Sequence, residues 1–259
     1  MPYTLAHPGF TLPLKKRYAA FFSTTGLVFG SIAPDFDIIL RFSNQRMHIF
    51  QYGLREIIFL ILPIAIASSI YFHLVIKNIL IDYAPAALRE NLVIYKNKNI
   101  LKNTTTDWMR LILSALFAIF IHLGLDLLSH YDAFTFQLNA MLYYQSLIIG
   151  YIVYYFAMYF PPLFFTGAGF YLLYYSIKKE NIRIPNAQQW VHAAATRLFL
   201  TVFIMVALLF AVIKMGISGI EKKFMIDSIV ISMTNGFLIS FFVTPSIFAI
   251  LNRIPKPRG

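Results

Sequence analysis

The stretch Phe117–Asp132, FAIFIHLGLDLLSHYD, places His122, Asp126 and His130 in an otherwise apolar run. A spacing of four residues is about 400° on a helix with 3.6 residues per turn, so the three side chains follow one stripe. Ionisable side chains in such a run are costly unless they have partners and face a protein interior or water. Histidine and aspartate are also common ligands of zinc and related ions. The stretch therefore predicts a helix, called the His/Asp helix, that brings this stripe next to further His and Asp residues.

Composition predicts an all-α integral membrane protein. Hydrophobic residues make up 59% of the 259 residues and charged residues 13%, against ~45–50% apolar and ~25% charged residues in soluble domains. The net charge of +11 is explained by basic loops that face the cytoplasm and anionic lipid, and no nucleic-acid partner is expected. Because the chain has no cysteine, disulfides, thiol catalysis and cysteine zinc sites are excluded.

Hydropathy predicts one polytopic helical bundle with five or six spans, forming a single integral-membrane domain over residues 1–259. A span needs ~20 apolar residues, and five stretches qualify in chain order: Ile57–Ile76, Leu111–His130, Ser146–Ile177, Leu198–Met215 and Ile226–Leu251. The longest of them, Ser146–Ile177, is read either as one kinked helix or as two half-helices, because Pro161-Pro162 and Gly167-Ala168-Gly169 interrupt it.

The amino-terminal part, residues 1–56, decides between five and six spans. Met1–Leu14 is punctuated by prolines and is not expected to be helical. Tyr18–Ala33 is expected to be a helix that ends at Pro34 and either spans the membrane or lies against the bundle. The basic connector at residues 77–110 leaves room for a surface helix around Ala84–Tyr95.

The distribution of Lys and Arg among the loops predicts the orientation. If Tyr18–Ala33 spans, both termini are expected in the cytoplasm; if it does not, the amino terminus is expected outside. Both schemes put the loop Tyr131–Gln145, which contains no Lys or Arg, outside. We therefore expect a protein of the bacterial inner membrane whose site lies near the non-cytoplasmic face.

Two further acidic residues and one histidine are predicted on the same side as His130. Asp35 and Asp37 follow the first apolar stretch, and His48 precedes the second. These residues are expected to converge with the end of the His/Asp helix. His7 shares that side in the five-span scheme and starts on the opposite side in the six-span scheme.

A divalent metal, with zinc as the first candidate, is the predicted cofactor. One ion cannot bind His122, Asp126 and His130 together, because the ends of the stripe are ~12 Å apart along the axis, whereas a neighbouring pair can share one ion. The predicted ligands are His7, Asp35, His48, His122 and Asp126. Asp37 or His130 is the predicted proton carrier in a reaction of metal-activated water.

Each of these residues also has a structural reading. A histidine in a membrane helix can simply hydrogen-bond to another helix. Asp35 and Asp37 can mark a helix stop and turn, and His48 can be solvated in its loop. His73 and His192 are read as structural, because they adjoin basic or interfacial residues.

The order of the motifs resembles that of a family of small bacterial and archaeal membrane proteins of unknown function. Members open with M-P-F-T-x-S-H-P, continue with G-S-x-x-P-D and carry S-H-x-x-x-D-x-x-T-H. The matching segments are MPYTLAHPGFTLPL at 1–14, GSIAPDFDIIL at 30–40, and HLGLDLLSH at 122–130. The match covers the first half of the chain well. Ile121 and Ser129 replace a serine and a threonine of that pattern, and Ile49 follows His48 where a serine is common.

The motif order of that family is distantly similar to membrane-bound metal-dependent hydrolases and, more remotely, to zinc-dependent phospholipase C. The resemblance implies that His122 and Asp126 are a ligand pair. It also implies an early histidine and an aspartate after proline, which His7 and Asp35 match.

The first expectation for function is hydrolysis of a phosphoester or related bond in a membrane lipid or lipid-linked substrate. A transporter that uses the His/Asp stripe as a polar pathway is the second, supported by the interrupted stretch Ser146–Ile177. A non-enzymatic membrane adaptor that binds a partner through residues 77–110 is the third.

Overall fold

A computed structural model shows a helical protein. The structure describes residues 6–18, 20–36, 53–96, 104–129, 193–218 and 225–252, with short helical pieces at 160, 164, 166–169 and 171. Within these ranges every regular element is a helix, which confirms the all-α prediction for them. In chain order they are α1 His7–Arg17, α2 Thr24–Ile32, α3 Leu54–Tyr83, α4 Ala86–Leu92, α5 Thr105–Ser129, α6 Ala193–Ser218 and α7 Met225–Leu251.

Four of the described helices are long and apolar enough to cross a membrane. The qualifying segments are Leu54–Tyr83, Thr105–Asp126, Ala193–Ile217 and Ser228–Leu251, with mean hydropathies between 1.7 and 2.7. The chain is therefore an integral membrane protein. The predicted span Ser146–Ile177 lies largely outside the described residues, so a total of five or six spans stays a prediction.

The amino-terminal segment differs from the sequence-based expectation. Met1–Leu14, predicted to be non-helical, contains most of α1, because Pro8 occupies the first turn of this helix, where proline is favoured. The helix predicted over Tyr18–Ala33 begins only at Thr24. Ser23 caps it, accepting a hydrogen bond from the Gly26 N–H at 3.3 Å.

Neither amino-terminal helix is long enough to span a bilayer. The 11 residues of α1 extend ~16 Å, and α2 with its 3-10 turn Ala33–Asp35 extends ~18 Å, against ~30 Å of hydrocarbon. The two helices pair as a hairpin in which the Thr11 hydroxyl lies 3.5 Å from the Leu27 carbonyl oxygen. We call residues 7–35 the amino-terminal hairpin; it replaces the single helix that the six-span scheme requires.

The chain divides into two compact units. That residues 1–259 form a single integral-membrane domain stays a prediction. The first unit comprises Met1–Leu40, Gln45–Ala67 and Thr104–Leu173; the second comprises Arg41–Asn44, Ser68–Asn103 and Tyr174–Gly259.

In the first unit, α2 packs against α5 through two glycines. A Cβ atom on Gly26 would lie 2.6 Å from the Leu111 carbonyl oxygen, and one on Gly30 would lie 2.6 Å from Ala115 Cα. Because successive contacts advance in the same direction along both helices, α2 and α5 run parallel. The core that holds this arrangement contains Ala33, Ile57, Ile61, Ala65, Ala115 and Ile119.

The start of α5 is fixed by side-chain capping. The Thr104 N–H donates to the Asp107 carboxylate at 3.2 Å and Thr104 Oγ1 accepts from the Asp107 N–H at 3.3 Å, the reciprocal pattern of a capping box. About two turns after Asp107, Ser114 Oγ accepts from the Ser23 N–H at 2.8 Å. The turn that precedes α2 is thus tied to the first half of α5.

In the second unit, α6 and α7 form a close antiparallel pair. Gly236 of α7 faces the Ala207 carbonyl of α6, and Ser240 Oγ donates to the Phe203 carbonyl oxygen at 2.7 Å. The predicted surface helix is present as α4, where Arg89 donates to Thr196 Oγ1 at 3.0 Å.

We expect Gly30→Ala to lower the free energy of unfolding by about 1–3 kcal/mol, because the new methyl group overlaps backbone atoms that cannot move independently. Thermal unfolding in detergent measures the change. Gly124→Ala in α5 is the matched control, since a Cβ there meets nothing within 4 Å. An equal melting temperature for both variants would contradict the close α2–α5 contact.

Candidate metal centre

Four ionisable side chains from three segments meet in the first unit. His7 is the first residue of α1, and Asp35 ends the 3-10 turn after α2. His122 and Asp126 lie one turn apart on α5. Their exposed fractions are 1% for His7, 5% for Asp35, 1% for His122 and 3% for Asp126. The hairpin brings His7 and Asp35 together because α1 leads away from the cluster and α2 returns to it.

Both carboxylates lie close to both imidazoles. His122 Nε2 is 2.9 Å from Asp126 Oδ2 and 3.7 Å from Asp35 Oδ1. His7 Nε2 is 3.9 Å from Asp126 Oδ1 and 4.0 Å from Asp35 Oδ2. Each Nε2 atom therefore faces one oxygen of each carboxylate, and the four groups enclose a common centre.

A backbone carbonyl orients the His122 ring. His122 Nδ1 lies 2.6 Å from the Ser31 carbonyl oxygen. Because a carbonyl can only accept, Nδ1 carries a proton and donates it, and Nε2 is the ring nitrogen that faces the carboxylates. Such a second hydrogen bond is the usual way in which a metal-binding histidine is held in its tautomer.

The geometry fits a divalent metal ion. One donor atom each from His7, His122 and Asp126 lies within 4.8 Å of the other two, so this buried group can bind an ion. Ligands ~2.0–2.1 Å from a tetrahedral zinc ion are ~3.3–3.4 Å apart. The His–Asp distances of 2.9–4.0 Å bracket that spacing, and Asp35 lies beside this group, with its Oδ1 3.7 Å from His122 Nε2.

Electrostatics favour a cation at the same point. Two ionised carboxylates that are at most 5% exposed are costly in an apolar setting unless positive charge balances them. The rings of His7 and His122 have centroids only 3.9 Å apart, so two imidazolium cations at these positions would repel each other. The charge of a divalent ion bound by His7, His122 and Asp126 would balance the negative charges of Asp126 and of Asp35 beside it.

The structure brings together four of the five predicted ligands: His7, Asp35, His122 and Asp126. The fifth, His48, and the two predicted proton carriers, Asp37 and His130, lie outside the described residues and stay predictions. The structural reading of His73, which lies in α3, stays a prediction, and His192 lies outside the described residues.

Sequence reasoning missed the part that Ser31 plays through its carbonyl group. A backbone atom leaves no signal in residue type, although Ser31 lies directly after Gly30 in the segment that precedes Pro34-Asp35. The close approach of Gly26 and Gly30 to α5 was also missed, and the four-residue spacing of these two glycines is the signal that could have found it.

The chain belongs to the family described as a domain of unknown function, DUF4184, whose defining sequence pattern matches residues 1–246. The match spans both compact units and includes the four residues of the cluster. No curated protein and no solved structure matches the chain.

We expect the purified protein to carry about one equivalent of a divalent metal, and Asp126→Asn and His122→Ala to lose it, because each change removes a ligand. Elemental analysis of the folded proteins measures the content. His73→Ala is the control, because it removes a histidine outside the cluster. A metal-free wild type after mild purification and metal add-back would refute the centre.

Proposed function

We propose that this member of the DUF4184 family is a membrane-bound, divalent-metal-dependent hydrolase. Its substrate would be a phosphoester or related bond in a lipid or lipid-linked molecule. The single observation that carries the proposal is the buried cluster of two histidines and two aspartates inside an integral membrane protein.

The donor set supports a catalytic role over a purely structural one. Structural zinc sites are mostly built from cysteine thiolates, whereas catalytic sites use histidine and carboxylate ligands and keep a position for water or substrate. This chain has no cysteine. The histidine and carboxylate donors of the cluster match the second class.

The residues divide into metal ligands and proton carriers. His7, His122 and Asp126, with Asp35 beside them, would hold the ion, and the Ser31 carbonyl would keep Nε2 of His122 directed at it. A bound divalent ion supplies Lewis acidity and lowers the pKa of water toward neutrality. Asp37 or His130 would take up the proton and return it to the leaving group.

The location of the cluster supports a lipid substrate. His122 and Asp126 lie on a helix segment that is apolar enough to span the bilayer, Thr105–Asp126. A substrate that already resides in the membrane reaches such a depth without leaving it, and a water-soluble substrate would have to enter an apolar region.

The hairpin also supports an orientation. Lys15 and Arg17 lie near its turn, away from His7 and Asp35, and Arg110 lies near the start of α5. Basic residues concentrate at the cytoplasmic ends of membrane helices. The metal centre would then be nearer the non-cytoplasmic face of the bacterial inner membrane.

For the activity, we expect metal-dependent release of headgroup or phosphate when the protein in lipid nanodiscs is given a panel of phosphoester lipids. Asp126→Asn should reduce the rate by about 100-fold or more, and His73→Ala should leave it unchanged. Bound metal without hydrolysis of any lipid would refute the hydrolase and keep the metal centre. Uptake that requires an ion gradient in vesicles would favour the transporter instead.

For the orientation, the absence of native cysteine allows single-cysteine labelling without background. We expect Ala20→Cys, at the exposed turn of the hairpin, to react only from the cytoplasmic side and Arg55→Cys only from the other side. A tag fused to the amino terminus should be digested from the same side as Arg55→Cys reacts. Digestion of the tag from the cytoplasmic side would contradict the hairpin arrangement.

A further inference from the structure

The turn of the amino-terminal hairpin forms a basic and aromatic patch in the first unit. We call Lys15, Arg17, Tyr18, Phe21 and Arg110 the basic turn. The first four belong to the end of α1 and the turn after it, and Arg110 lies in the second turn of α5. The metal centre does not use these residues.

The fold brings Lys15 within electrostatic reach of Arg110 and places Arg17 over the ring of Tyr18. Lys15 Nζ donates to the Phe22 carbonyl oxygen at 2.6 Å, which fixes it against the turn. Partial burial and, after it, the charge of Arg110 lower the pKa of Lys15. Arg110 Nη1 is paired with Asp107 Oδ1 at 3.4 Å, so this carboxylate offsets part of the positive charge of the patch.

Aromatic side chains set the depth of the patch relative to a membrane. Phe21 is 73% exposed and Tyr18 is 44% exposed. The Arg17 guanidinium lies 5.6 Å from the centre of the Tyr18 ring. Exposed rings beside cations are typical of the boundary between hydrocarbon and headgroups. An exposed Phe21 is accommodated by acyl chains, while the adjacent cations lie at the level of the phosphates.

We propose that the basic turn binds the phosphate of an anionic phospholipid headgroup, in the leaflet opposite the metal centre. Arginine presents a planar fork of N–H donors that matches phosphate oxygens, and the lysine adds a point charge. The proposal does not rest on the hydrolase activity.

Lipid binding at this position would also stabilise the metal centre. The turn is tied to α5 by the Ser23–Ser114 hydrogen bond of 2.8 Å, and α1 and α2 carry His7 and Asp35 at their far ends. A headgroup bound both by the turn and by Arg110 of α5 would therefore help to hold both hairpin helices in their register on α5.

The test measures lipid selectivity of the full chain in nanodiscs of phosphatidylcholine, with or without phosphatidylglycerol. We expect phosphatidylglycerol to raise the melting temperature of the wild type. Lipid preference is the ratio of the apparent affinities for phosphatidylglycerol and phosphatidylcholine. We expect Lys15→Gln and Arg110→Gln each to lower this ratio roughly fivefold, which corresponds to the loss of one charge near the surface. Arg55→Gln removes an exposed charge outside the patch and is the matched control.

Two further arms identify the ligand. Inorganic phosphate added to pure phosphatidylcholine nanodiscs should not reproduce the stabilisation; if it does, the site binds a free anion and the lipid proposal is overturned. In a Trp190→Phe background, brominated phosphatidylglycerol should quench Trp108, two residues before Arg110, more than brominated phosphatidylcholine does. This second readout uses the intact basic turn, so it holds if a charge variant fails to fold.

Equal quenching by both brominated lipids would overturn the proposal. So would a wild type that gains no stability from phosphatidylglycerol, or charge variants with the same selectivity as Arg55→Gln.

Discussion

The need to neutralise buried charge constrains the whole first unit. Asp35 and Asp126 are nearly inaccessible in a protein whose exposed surface is largely apolar. Each carboxylate needs positive charge or donors within a few ångströms, and breaking a buried pair by removing one partner costs about 3–5 kcal/mol. The arrangement around them follows from this requirement. The imidazole of His122 is fixed by a backbone carbonyl, and His7 is positioned by the start of α1.

Helix length then explains why a hairpin is used. A spanning helix would carry the residues before and after it to opposite faces, so His7 and Asp35 could not meet. Two helices of ~16–18 Å joined by a turn return the chain to the level at which it started. The close contacts of Gly26 and Gly30 with the α5 backbone fix the position of α2 along the axis of α5. The ligand positions are therefore set by packing along α5.

Much of this was predictable from residue type and spacing, and some of it was not. The pair His122 and Asp126 on α5, the end of α2 just before Pro34 and the apolar stretches of the four described spans each have a local sequence signal. Helix α1, which contains Pro8 and Pro13, has no such signal. Proline usually interrupts a helix, and it is favourable only in the first turn, whose position the sequence does not reveal. The hairpin was missed for a related reason: hydropathy reports that Tyr18–Ala33 is apolar, but not that Ser23 caps a helix beginning at Thr24.

The same geometry gives the two ends of the hairpin different chemistry. At one end the fold gathers anionic oxygens and imidazole nitrogens around a point that suits a divalent cation. At the other end it gathers guanidinium and ammonium groups beside exposed rings, which suits a phosphate at a membrane surface. A helix pair with opposite charge at its two ends has a preferred direction in a bilayer, since basic residues favour the cytoplasmic face. The charge difference that would orient the hairpin therefore also separates the proposed metal centre from the proposed lipid-binding turn.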